Sequence, residues 1–212
     1  MRSSLFSKYL LFIFMCVGIS SLTMGQTKEN IAEQHLYKTS IFDSSFTKVL
    51  YKGSLDISKH HLTGLFFLKR ISANSVRIVF SNELGMNYFD LEIKGDKLII
   101  HSCFPSLKRK SLLHLIENDF RLLMVPDTTI KRIKHIESKD PELLVFRVKS
   151  ARGYFLYTYT RGTGKIWRIQ TTHSLIGKTD LRVDGDDRYY PAKVNITNPT
   201  IRLHLHMIFL SN

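Results

Sequence analysis

The sequence predicts a mainly β fold, a wide antiparallel sheet with helices inserted near its middle. Three observations carry this. From Lys48 onward, short segments alternate apolar and polar residues with period two. Turns of hairpin length rich in Gly, Asn, Asp and Lys separate them, so neighbours in sequence are expected to be neighbours in the sheet. The clearest helical period lies over 106–118, where Leu112, Leu113, Leu115 and Ile116 form an i, i+3, i+4 stripe.

Eleven strands are expected, at 49–57, 62–71, 75–82, 87–94 and 97–104, then 143–149, 153–161, 165–171, 179–184, 193–197 and 201–210. The helix over 106–118 starts behind Ser106 as a side-chain cap. A second helix or turn is expected over 128–136, bracketed by Pro126 and Pro141. Arg161-Gly162-Thr163-Gly164 reads as a tight hairpin turn. Ahead of the strands, Thr27 caps a candidate helix running to Lys38.

The chain opens like a secretory signal. Arg2 and Lys8 precede an apolar stretch over 9–19, and Thr23-Met24-Gly25 supplies a small-x-small site before Gln26. That stretch is shorter than the roughly 20 apolar residues of a membrane span, so cleavage after Gly25 is expected. Removing residues 1–25 from 212 leaves 187, the length of one domain over 26–212. Loss of Arg2 and Lys8 lowers the net charge from +13 to +11, which favours anionic partners such as acidic lipid headgroups. Export argues against nucleic acid as a partner. Of the two cysteines, Cys16 lies in the signal behind bulky Ile13-Phe14-Met15, a poor lipidation site. Cys103 alone would remain, so no intramolecular disulfide is expected.

Alternation assigns faces. In the last strand Ile201, Leu203, Leu205, Met207 and Phe209 share one side and Arg202, His204 and His206 the other; likewise Phe89, Leu91 and Ile93 oppose Asp90, Glu92 and Lys94. A wide, curling sheet with one apolar face is filled by its own helices or holds a ligand. Periodicity is compatible with both. The ligand reading takes Phe66, Phe89, Leu91, Trp167, Leu203 and Leu205 as the walls of an apolar cavity.

Other chemistry finds little support. His204-x-His206 places two imidazoles on one strand face, but no third ligand is near in sequence, and His60-His61 sits at a turn. Residues 184–187 concentrate carboxylates without the spaced oxygens of a calcium loop. There is no Gly-x-Ser-x-Gly, no His-Glu-x-x-His and no phosphate-cradling Gly-rich loop, so neither catalytic nor metal residues nor a cofactor are assigned. Lys108-Arg109-Lys110 crowns the central helix, against the macrodipole. Asn195-Ile196-Thr197 is a glycosylation sequon within a strand.

Two stretches carry a family resemblance. Val76-Arg77-Ile78-Val79-Phe80-Ser81-Asn82-Glu83-Leu84-Gly85, followed by Phe89-Asp90-Leu91-Glu92-Ile93, resembles the LolB outer-membrane lipoprotein receptors and, more distantly, the periplasmic carrier LolA. Those receptors carry an Asn-Pro-Leu-Gly turn where this chain has Glu83 in place of the Pro. Tyr190-Pro191-Ala192-Lys193-Val194-Asn195-Ile196 and Ile201 to His206 resemble the family's closing strands. The resemblance implies a half-barrel of eleven strands covered by helices, with no reaction catalysed. Its concavity would accept lipoprotein acyl chains or another envelope lipid, received from a LolA-like carrier and passed on at the outer membrane. It implies a periplasmic location and gives Leu84 a role as a membrane-inserting side chain. The competing expectation is a structural or interaction protein of the envelope with a filled core and no ligand.

Overall fold

The first and last strands of the sheet lie side by side at its centre, and this fixes everything else. The computed structural model describes residues 38–43, 45–173, 178–185 and 190–211. All belong to one of two compact units, Lys38–Asn212. The expected signal segment, its cleavage site, Cys16, most of the helix expected up to Lys38, and Asp186 and Asp187 lie outside the described residues.

Twelve strands form one antiparallel sheet. They are β1 (Lys48–Ile57), β2 (His60–Ser72), β3 (Ser75–Ser81), β4 (Asn87–Lys94), β5 (Lys97–Cys103), β6 (Ile130–Ile136), β7 (Leu143–Ser150), β8 (Gly153–Thr160), β9 (Ile166–His173), β10 (Asp180–Asp184), β11 (Lys193–Asn198) and β12 (Leu203–Ser211). Their order is β5-β4-β3-β2-β1-β12-β11-β10-β9-β8-β7-β6, so every hairpin pairs locally and only β1 with β12 joins distant sequence. The edges, β5 and β6, are therefore consecutive in the chain although they stand at opposite ends of the sheet.

What connects them must cross the concave side. The link is a short turn of 3-10 helix, Pro105–Leu107, and then α1, Lys110–Met124. The apolar stripe of α1 faces the sheet, with Leu113, Leu115, Ile116, Phe120, Leu123 and Met124 all buried. The sheet is thus an open half-barrel curved around one helix. Backbones approach closely where Gly53 faces Gly64 across β1 and β2: a Cβ on Gly64 would collide with the Ser81 carbonyl, and one on Gly53 with that of His206.

Three sequence expectations are corrected. The segment at 128–136 carries strand β6, not a helix, so the described residues hold twelve strands and a single α-helix. Ile130, Ile133 and Ile136 recur every third residue, which mimics a helical period. Yet their β-branched side chains suit a strand, and the exposed edge of β7 offers a ladder to pair with. Ser106 does not cap α1; it lies in the preceding turn, and the N-cap position is Arg109, with no side-chain hydrogen bond. Finally, His60 and His61 begin β2 rather than forming a turn, and His61 pairs with Asp56 on β1.

Candidate functional site

The apolar side of the half-barrel is packed, and its packing is aromatic. Phe66 on β2 stacks on Phe80 of β3, with ring centroids 3.9 Å apart and planes at 5°, and meets Phe120 of α1 at 6.3 Å. Phe89, Leu91, Leu203 and Leu205 are buried in the same interior. Five of the six side chains expected to line a cavity are therefore buried in the core, with Phe66 against α1.

Polar anchors hold α1 over them. Arg121 donates from Nε and Nη2 to Glu117 Oε1, at 2.9 and 2.6 Å, and from Nη1 to the Gly95 carbonyl in the β4–β5 turn at 2.7 Å. Arg70 on β2 donates to the carbonyls of Met124 and Phe46, each at 3.3 Å, with its guanidinium 4.7 Å from the Phe46 ring centroid. On the other wall, the Thr179 hydroxyl donates to Asp119 Oδ1 at 3.0 Å, and Asn198 Nδ2 donates to Thr179 Oγ1 at 3.5 Å. Asp119 is fully enclosed, and desolvation outweighs the Thr179 hydrogen bond, pushing its carboxyl up to about 7. The helix thus spans the concavity from the β4–β5 turn to β10 and β11.

The sixth predicted residue is placed differently. Trp167 is only partly buried, because β9 bulges there: Thr158 pairs with Arg168 and Tyr159 with Ile166, leaving Trp167 as the extra residue. The bulge lets Ile166 and Trp167 both line one cleft of about 700 Å³. Ile41, Val183 and Pro191 complete its apolar surface, and Lys38, Asp43, Lys165 and Asp184 add charge around it. Lys38 sits 3.5 Å from Asp43, whose carboxyl is held below its usual range first by the Ser45 backbone N–H. The segment carrying Lys38 is fixed from behind, since the buried hydroxyls of Tyr157 and Tyr159 donate to the carbonyls of Thr39 and Lys38, each at 3.4 Å. Sequence reasoning missed Ile41 and Pro191, which lie outside any periodic segment; nothing in the local pattern could have found them.

Leu84 lies on the β3–β4 turn and is 93% exposed. The turn is rigidly tied. Asn82 Oδ1 accepts the N–H groups of Leu84 and Met86, at 3.1 and 2.8 Å, the Asn82 carbonyl accepts that of Gly85 at 3.0 Å, and Gly85 takes the left-handed φ of +84°. Lys52 on β1 holds Glu83 at 3.3 Å. Leu84 consequently projects outward instead of folding back. A register row runs Ser81, Leu65, Lys52, Ile208, Lys193, Asp184, so the turn leaves the sheet five strands from the cleft. That separation is about 24 Å along the curved sheet.

The paired imidazoles separate in use: His206 Nδ1 lies 2.6 Å from Asn195 Oδ1, while His204 is exposed. Among the described residues no three His, Cys, Asp or Glu side chains are grouped as a metal site.

No family model matches this sequence, and no curated protein matches it. The fold does match solved structures. The LolA superfamily protein NE2245 from Nitrosomonas europaea superposes with a TM-score of 0.59 at 10% identity, covering 85% of this chain and 91% of that one. A Vibrio parahaemolyticus domain named for outer membrane lipoprotein sorting superposes with a TM-score of 0.53 at 9% identity, covering 85% and 88%. The fold is therefore LolA-like.

Proposed function

We propose that this chain is a non-catalytic binder of acyl chains, those of lipoproteins or of another lipid of the cell envelope. The observation that carries the reading is the cleft at Trp167, lined by Ile41, Ile166, Trp167, Val183 and Pro191 together with charged side chains, in a LolA-like half-barrel. Its volume of about 700 Å³ falls in the range of small-ligand sites. Each methylene buried there contributes about 0.8 kcal/mol, which suits a long chain better than a compact polar solute.

In this reading the first methylenes bury against Ile41, Ile166, Trp167 and Val183. Longer chains reach the wall formed by Phe66, Phe89, Leu91, Leu203 and Leu205 as α1 yields. The polar anchors at Arg70, Asp119 and Arg121 set how readily it does so. Leu84, rigidly presented on its turn, inserts into a bilayer interface and gains up to about 1.5 to 3 kcal/mol. Alone this gives weak and reversible attachment, to which the lysine-rich surface adds at an anionic leaflet. The signal-like start of the chain and the lipoprotein-sorting name of one structural neighbour support a periplasmic site of action, next to the outer membrane and supplied by a LolA-like carrier.

One observation favours a second reading, a structural or interaction protein of the envelope: Phe66, Phe89, Leu91, Leu203 and Leu205 are each at most 3% exposed, as in a permanently filled core. Native mass spectrometry of protein exported to a bacterial periplasm and released gently separates the two. Co-purified acylated species support the carrier reading and reveal the cargo class. Protein that carries none and takes up no fluorescent acyl probe transfers the case to the structural one.

A further inference from the structure

Cations on the outer face of the sheet are matched by carboxylates at some places and meet other cations at others, most densely at one. Arg77 is matched by Asp90 at 2.6 Å between β3 and β4, and Arg168 by Asp180 at 2.6 Å between β9 and β10, while Lys48 faces Lys69 and Lys94 faces Lys97 as isolated like-charged pairs. On β6 and β7 the register instead sets Arg132 opposite Lys149 and Lys134 opposite Arg147. All four side chains are exposed, and none forms an ion pair among the described residues. Two like-charged pairs, side by side, weaken the sheet that carries them.

Protection of an edge strand explains cations on β6. It does not explain Arg147 and Lys149, because β7 is covered on both sides by β6 and β8. The four cations are also not spread on a flat surface. Together with Ile133 and Tyr154 they line a hollow of about 550 Å³, in which Lys149 Nζ lies 5.4 Å from the Tyr154 ring centroid. Two arginines and two lysines lining one hollow offer the donors that suit the oxygens of a phosphate group, which Arg binds in bidentate fashion and Lys as a point charge.

We propose that this hollow is a binding site for a phosphate-bearing anion, either a soluble phosphorylated solute or the headgroup of an anionic phospholipid. It is separate from the cleft at Trp167 and shares no residue with it. The bound anion supplies the negative charge that the sequence omits, and the repulsion between the strands is relieved on binding.

The test uses the full chain and two probes: inorganic pyrophosphate by titration calorimetry, and vesicles of phosphatidylglycerol or phosphatidylcholine by co-sedimentation, both at low salt. The double variant Arg147→Thr/Lys149→Thr is expected to bind at least about tenfold more weakly. Without ligand its Tm should rise by about 1 to 3 °C, because repulsion has been removed from a folded sheet. The control Lys48→Thr/Lys97→Thr makes the same change in net charge on other strands and should bind like the parent chain. Binding of pyrophosphate assigns a soluble anion, and binding of phosphatidylglycerol vesicles alone assigns a lipid headgroup. Absence of binding to either probe, or an equal loss in the control variant, overturns the proposal.

Discussion

Replacing Asp119 with Asn tests how α1 is held. The side chain keeps its size and can still accept the Thr179 hydrogen bond, but it can no longer ionise. In the parent chain burial raises the carboxyl from an ordinary 3.8 to about 7, so the native state retains a proton that the unfolded chain has already released. The associated stability is complete below about pH 4 and is lost as the pH rises through 7, opposite to the usual carboxylate behaviour. A displacement from 3.8 to about 7 corresponds to about 4 kcal/mol. The partners across the interface, Thr179 and Asn198, are uncharged, and the nearby charges of α1, Glu117 and Arg121, are paired with each other. No counter-charge is therefore placed to absorb the effect. Urea unfolding followed at pH 5 and pH 8 should show the parent losing about 3 kcal/mol across that interval relative to Asp119→Asn. Parallel pH profiles for the two proteins would refute the reasoning, since they would mean that Asp119 ionises freely in the folded state.

Other substitutions probe the remaining parts. Arg121→Leu leaves Glu117 buried without its partner and frees the Gly95 carbonyl, and should cost about 3 to 5 kcal/mol in chemical denaturation, with much of it recovered in the double variant Glu117→Gln/Arg121→Leu. Gly64→Ala drives a Cβ into the Ser81 carbonyl and should lower stability by about 1 to 3 kcal/mol or more, read as a lower Tm. Leu84→Glu touches nothing in the core, so the Tm and uptake of an acyl probe should stay unchanged while delivery of bound lipid to liposomes falls; normal delivery would remove Leu84 from the account.

Hairpin grammar made most of the sheet legible. Strand 87–94 was expected at its observed limits, and most of the others fell within one or two residues of theirs, because period-two alternation and short turns are local signals. β6 escaped for a physical reason: an edge strand buries little, so Ile130, Ile133 and Ile136 are spaced without the alternation that a two-sided ladder imposes. The pairing of β1 with β12 was equally invisible, since no local feature joins Tyr51 to Phe209. The site was legible only in part. Alternation put Phe66, Phe89, Leu91, Leu203 and Leu205 on the inner face, where they lie, but periodicity does not say whether an inner face is filled. Trp167 reached the cleft through a bulge that breaks the very alternation used to find it. The exposure of Leu84 follows from the Asn82 side chain closing the turn, a local motif that the sequence displays.

Trp167 is the only tryptophan of the chain and lies in the cleft, so it reports directly on what enters there. The measurement is its fluorescence during titration with a long-chain lipid, unlabelled and then carrying a spin label along the acyl chain. An acyl-binding cleft predicts a saturable blue shift with the first and strong quenching with the second, both lost in a chain-length series as the acyl group shortens. Emission that stays unchanged by either lipid, with the protein folded throughout, would contradict entry of acyl chains at this cleft and leave a filled half-barrel.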